Sequence, residues 1–119
     1  MGLRIDRRAP GAPYQLETLT AAGALRREGF SILSATSASA YTMAGAEFQG
    51  VRKQVFAAST EALTLILDSG VHFSQTDSTT VDVRKATFND WGECIELYSR
   101  SATEWIVLVN TGAVAFAST

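Results

Sequence analysis

At 119 residues the chain has the length of one domain, with room for a modest hydrophobic core and little for a second one. An apolar fraction of 46% argues against a disordered chain, and a net charge of −2 against a bulk nucleic-acid binder, for which a basic footprint is expected. The single cysteine, Cys94, excludes an intrachain disulfide and a cysteine-based zinc site, as expected of a protein made in a reducing cytoplasm.

Residues 1–13 read as an extended N-terminal arm. Arg4, Arg7 and Arg8 stand among small and polar residues, and both prolines, Pro10 and Pro13, fall in the stretch APGAP. No apolar core follows these charges, so the opening stretch is not expected to act as a signal peptide, and no run is long enough for a membrane helix. From Tyr14 to Thr119 a single β domain is expected. YQLETLT is a weak strand, with Tyr14, Leu16 and Thr18 on one parity. AAGALRREG is compatible with a helical turn or two carrying Leu19, Ala22 and Leu25, cut short by Gly23 and Gly29. Strands are expected near 30–36 and 40–43, with Phe30, Ile32 and Tyr41 as core candidates.

VRKQVFAAS places Val51, Val55 and Ala57 on one side and Phe56 on the other. LTLIL at 63–67 is a clear apolar strand, closed by the turn Asp68-Ser69-Gly70, with VHF continuing after it. QTDSTT at 75–80 is a loop, after which Val81 and Val83 resume the alternation. A second turn, Asn89-Asp90-Trp91-Gly92, leads into ECIELYS, with Ile95 and Leu97 facing one way and Cys94 and Tyr98 the other. EWIVLVN is the strongest strand. Trp105, Val107 and Val109 lie on one face and Ile106 and Leu108 on the other, the pattern of a strand covered on both sides by a core or by another subunit. Asn110-Thr111-Gly112 turns the chain into AVAFAS. Short strands at this spacing read as all-β, a compact barrel or jelly-roll-like sandwich of short antiparallel strands, and the same rhythm suits a β-helix-like trimer.

Chemistry-bearing constellations are sparse. His72 lies between Val71 and Phe73 in strand-like alternation and reads as a surface or edge residue, with no designated nucleophile or acid. Asp68, Asp77, Asp82 and Asp90 lack the tight spacing of a calcium loop. Glu93 and Glu96, three apart on a strand, face opposite ways. There is no glycine-rich phosphate loop. The doublets Arg7-Arg8, Arg26-Arg27, Arg52-Lys53 and Arg84-Lys85 each give one charge per strand face and form no stripe. No catalytic, cofactor-binding or metal-ligating residue is assigned, and no cofactor, small-molecule ligand, nucleic acid or membrane is expected as a partner. Charge is uneven, however: residues 1–53 hold seven basic and four acidic residues, and residues 54–119 hold three basic and eight acidic.

The stretches YQLETLTAAGAL (14–25), AYTMAGAEFQGVRKQV (40–55), TEALTLIL (60–67), ATFNDWGECIELYS (86–99) and EWIVLVNTGAVAF (104–116) together resemble small virion proteins of tailed double-stranded DNA bacteriophages, of the capsid decoration or cement type. The closing motif of that family corresponds here to Trp105, Val107 and Asn110-Thr111-Gly112-Ala113. The sequence departs from the family in lacking a double Asn before Gly, and in having Trp91-Gly92-Glu93 where a Gly-Asp turn is usual. The resemblance implies a non-enzymatic homotrimer on the outer surface of the virion, bound to major capsid protein at threefold or quasi-threefold sites and stabilising the shell. In that setting the arm residues Arg4, Arg7 and Arg8 are the candidates for capsid contact, and Tyr98, Trp105 and Val107 for the subunit interface, a monomer core explaining the last three equally well. The alternatives are another phage structural β domain (fibre, spike or head–tail component) or a carbohydrate-binding adhesive module.

Overall fold

The computed structural model describes residues 15–75 and 83–118, so the arm and its three arginines lie outside the described residues, as do Asp77, Val81 and Asp82. Among the described residues eleven strands are found: β1 (Leu16–Leu19), β2 (Gly23–Ala24), β3 (Gly29–Leu33), β4 (Ser39–Met43), β5 (Arg52–Ala57), β6 (Leu63–Leu67), β7 (His72–Ser74), β8 (Val83–Phe88), β9 (Cys94–Ser101), β10 (Glu104–Thr111) and β11 (Ala115–Ser118). They form two sheets. The first runs in the order β1-β3-β5-β9-β10-β7 and the second β11-β8-β6-β4-β2.

The all-β expectation holds, but the expectation of uniformly antiparallel strands needs correction. Five of the nine pairings are parallel. From β1 to β6 the chain alternates between the sheets, and each return lands beside the previous strand in the same direction. Leu16 pairs with Phe30 and Phe30 with Gln54 in one sheet; Gly23 pairs with Tyr41 and Tyr41 with Leu65 in the other. Parallel neighbours need a crossover, and here the crossover is a strand of the opposite sheet rather than a helix. Antiparallel β8 and β9 then complete the second and first sheets beside β6 and β5. The described strands therefore make two mixed sheets with free edges at β1, β7, β11 and β2, an order that is neither a closed barrel nor an antiparallel jelly roll.

Alternation explains the layering. In β6, Leu63, Leu65 and Leu67 are buried, while Thr64 and Ile66 face outward. In the first sheet, Leu33, Val55, Ala57, Ile95 and Leu97 point inward to meet Tyr41, Met43, Ala86 and Phe88 of the second, in one hydrophobic cluster. Each such side chain contributes about 1.5–3 kcal/mol for the larger aliphatics and aromatics. Phe73 of β7 and Phe116 of β11 close one side edge-to-face, with ring centroids 5.0 Å apart.

The turns at Asp68 and Asn89 fall where expected, whereas β10 runs through Asn110 and Thr111 before the chain turns at Gly112. Val71 N–H donates to Asp68 O at 3.0 Å, and Gly70 supplies the positive φ of 86°. The helical turn compatible with residues 21–29 does not form: β2 and an irregular segment occupy it, since Leu25 N–H donates to Thr42 O and joins the β4 edge instead. Gly29, at φ 81°, lies against the Gln15 carbonyl, where a Cβ would approach to 2.3 Å.

Candidate interaction surface

The two outer faces of the molecule differ in chemistry. On the second sheet the outward positions of β4, β6, β8 and β11 are mostly small or hydroxylated: Ala40, Thr42, Thr64, Thr87, Ala115 and Ala117, with Ile66 and Lys85. On the first sheet the register places two rows side by side in which large apolar residues alternate with polar ones. Leu16, Phe30 and Gln54 lead to Glu96 and Val109; Thr18, Ile32 and Phe56 lead to Cys94 and Thr111. Phe30 and Phe56 meet edge-on at 6.4 Å, and Trp91, 63% exposed at the turn before β9, stands edge-on to Phe56 at 5.3 Å. Among the described residues, four of the six exposed large apolar side chains lie on strands of the first sheet: Leu16, Tyr98, Leu108 and Val109. The other two, Phe48 and Trp91, flank β5 and β9 in the chain.

A β-bulge sharpens this outward display. Val107 faces Leu97, but the next pairing joins Val109 to Glu96, so the register shifts past Leu108. Val109, grouped by simple alternation with Trp105 and Val107, is thereby turned to the exposed side together with Leu108.

The candidate residues separate accordingly. Tyr98 lies on the outer face, opposite Arg52. Trp105 is fully enclosed in the chain's own core, with its indole N–H donating to Ala44 O at 3.3 Å, and Val107 packs against that core. Sequence alternation alone did not group Leu16, Phe30, Ile32, Phe56, Leu108 and Val109 as one surface. The usable signal was apolar content on both parities of neighbouring strands.

The doublet Arg52-Lys53 divides between the faces as alternation requires. Arg52 points out, and Lys53 points in with its side chain wholly buried. The Lys53 ammonium donates to Ser31 Oγ and to Glu28 O at 3.2 Å, with Glu17 Oε2 at 3.6 Å. Burial lowers its pKa to about 8, against the opposing pull of Glu17. Burial also acts to raise the Glu17 pKa, but bonds from Ser31 Oγ at 2.6 Å and Arg26 N–H at 2.7 Å, with the Lys53 charge, leave it below its ordinary value. This network ties β1, β3 and β5 together beneath the surface.

Elsewhere the polar groups serve local structure. The Ser74 hydroxyl holds the Glu104 carboxyl below its usual range, burial opposing and Arg100 assisting. Glu93 is buried and accepts the Asn89 N–H at 2.7 Å, bracing the turn into β9. Burial, with the Glu96 charge, pushes the Cys94 thiol up, which disfavours a thiolate nucleophile. Cys94 pairs with Thr111 at one end of β10, and His72 with Glu104 at the other. That places them about 20 Å apart along the strand, too far for a catalytic pair. Among the described residues, no group of three or more His, Cys, Asp or Glu side chains converges as a metal site.

No protein-family model and no curated protein matches the chain.

Proposed function

We propose that the chain is a non-enzymatic structural subunit that works by binding protein surfaces, as a homotrimeric decoration protein on the outside of a phage capsid. The observation that carries the binding part is the apolar outer face of the first sheet, which has no counterpart on the second. Contiguous apolar surface of this kind marks interaction sites in soluble proteins. The capsid part rests on the sequence resemblance, with major capsid protein as the partner and Arg4, Arg7 and Arg8 as its contacts. Multivalent attachment of a trimer would multiply weak individual contacts. The test is binding of the purified chain to capsids stripped of accessory proteins. Saturation at a fixed copy number across the shell, weakened by removal of residues 1–13, is the expected result; absence of binding refutes the capsid role.

Trp91 favours a second reading. An exposed indole braced edge-on by Phe56 is a stacking platform of the type used by carbohydrate-binding modules. A glycan panel that binds the native chain and loses binding on Trp91→Ala would replace the capsid reading with an adhesive one.

A further inference from the structure

On the outer face of the first sheet Arg100 and Glu104 pair with each other, which leaves Arg52 and Glu96 as a cation and an anion whose placement selects an occupant. Arg52 and Glu96 lie on β5 and β9, the two central strands of the six, and they are diagonal across the pair: Arg52 sits opposite Tyr98, and Glu96 opposite Gln54. Neither side chain makes a hydrogen bond or an ion pair among the described residues. Diagonal neighbours on a sheet are about 7–8 Å apart, so each charge has room for a partner from outside.

We infer that a second copy of this chain packs on this face, with Arg52 of each copy against Glu96 of the adjoining one. Opposite charges side by side at the centre of the patch are self-complementary. A twofold axis in the interface lays each guanidinium against the facing carboxylate, and around a threefold axis the Arg52 side of the face meets the Glu96 side of the next copy. The balance of charge also disfavours a nucleic acid, which needs a net basic surface. Six strands at their usual spacing and about five residues of length give a footprint of roughly 400 Å² in projection. That is a substantial share of the roughly 800 Å² of accessible surface that a standard interface buries on each partner. The exposed rim adds Trp91, Leu108 and Val109 to the contact. Placing Phe30, Ile32 and Phe56 under a second copy removes from water an apolar surface that the single chain leaves partly exposed.

This inference deepens the self-assembly part of the proposed function and is independent of the capsid part. The experiment is sedimentation equilibrium of the full chain across a wide concentration range, with no capsid present. The native protein is expected to associate. Arg52→Glu is expected to weaken association by at least about tenfold, as is Glu96→Arg, by setting like charges together. The double reversal is expected to restore it, and restoration cannot be explained by a folding defect. Thr64→Glu, on the opposite face, leaves association unchanged. A chain that stays monomeric at every concentration overturns the inference, as does an oligomer whose association constant ignores both reversals. A dimer that follows the reversal pattern sustains the interface and removes the trimer from the proposed function. Capsid binding is scored separately and bears only on the virion role.

Discussion

Replacing Lys53 by methionine isolates the effect of a buried ammonium on stability. The side chain is fully enclosed, and burial takes the pKa from 10.5 to about 8. Below pH 8 both folded and unfolded chains hold the proton, and the desolvation penalty is present in full. Between about 8 and 10.5 the unfolded chain keeps a proton that the folded chain has released, so stability rises with pH. Each pH unit of that window contributes about 1.4 kcal/mol, and the whole of it about 3 kcal/mol. Cys94 and Tyr41, whose acidities burial weakens, act in the opposite direction, with stability falling as pH rises toward and past their ordinary values. The informative quantity is therefore the difference between native protein and Lys53→Met, which share those two groups. Urea unfolding at a series of pH values from about 7 to 10.5 measures it. The native chain is expected to gain on the variant by about 2–3 kcal/mol across the series. A difference that stays flat refutes the reasoning, since the ammonium would then titrate alike in both states.

Glu17→Gln is expected to cost about 1–3 kcal/mol near neutrality, the worth of hydrogen bonds to a charged group. The folded pKa of Glu17 lies below its ordinary 4.5, so its contribution is present above that value and is lost as pH falls through the folded one; acid titration of the variant's stability will be correspondingly flatter. Gly45→Ala places a Cβ 1.8 Å from the Ala102 carbonyl oxygen, and because both partners are backbone the expected loss is at least about 3 kcal/mol, read as a lowered thermal midpoint. Trp105→Ala is expected to cost about 3–5 kcal/mol and to remove most of the near-ultraviolet dichroism, while Trp91→Ala in the monomer costs under about 1 kcal/mol in the same urea assay.

Strand positions were legible because alternation and turn chemistry are local. LTLIL coincides with β6, and the Asp68 and Asn89 turns close as their residues require. Partner direction was not legible. A strand such as GFSIL shows the same alternation beside a parallel or an antiparallel neighbour, and only the path of the intervening chain through the other sheet decides between them. The segment after Leu19 was ambiguous for the opposite reason: two glycines and a short apolar spacing carry weak information, and edge pairing with β4 outweighed it. Alternation separated Arg52 from Lys53, but nothing local says that the lysine side is the interior one. That follows from Ser31 and Glu17 arriving on β3 and β1 to meet it. The bulge at Leu108 likewise escaped, and with it the outward turn of Val109 that widens the apolar face.

The central position of β5 has a consequence for biosynthesis. β1 to β4 leave the ribosome before β9, yet among the described strands β1 and β3 have no antiparallel support, and β5 is the only one that joins them to β9 and β10. Loop-closure entropy makes such distant pairings slow, and an early fragment presents unpaired edges while it waits. A nascent chain that presents β1 to β4 without β9 is therefore expected to be the aggregation-prone species, and the native ladder completes only once β9 has emerged. Expression yield is thus expected to respond more to translation speed across the codons for β6 to β9 than to the equilibrium stability of the folded domain.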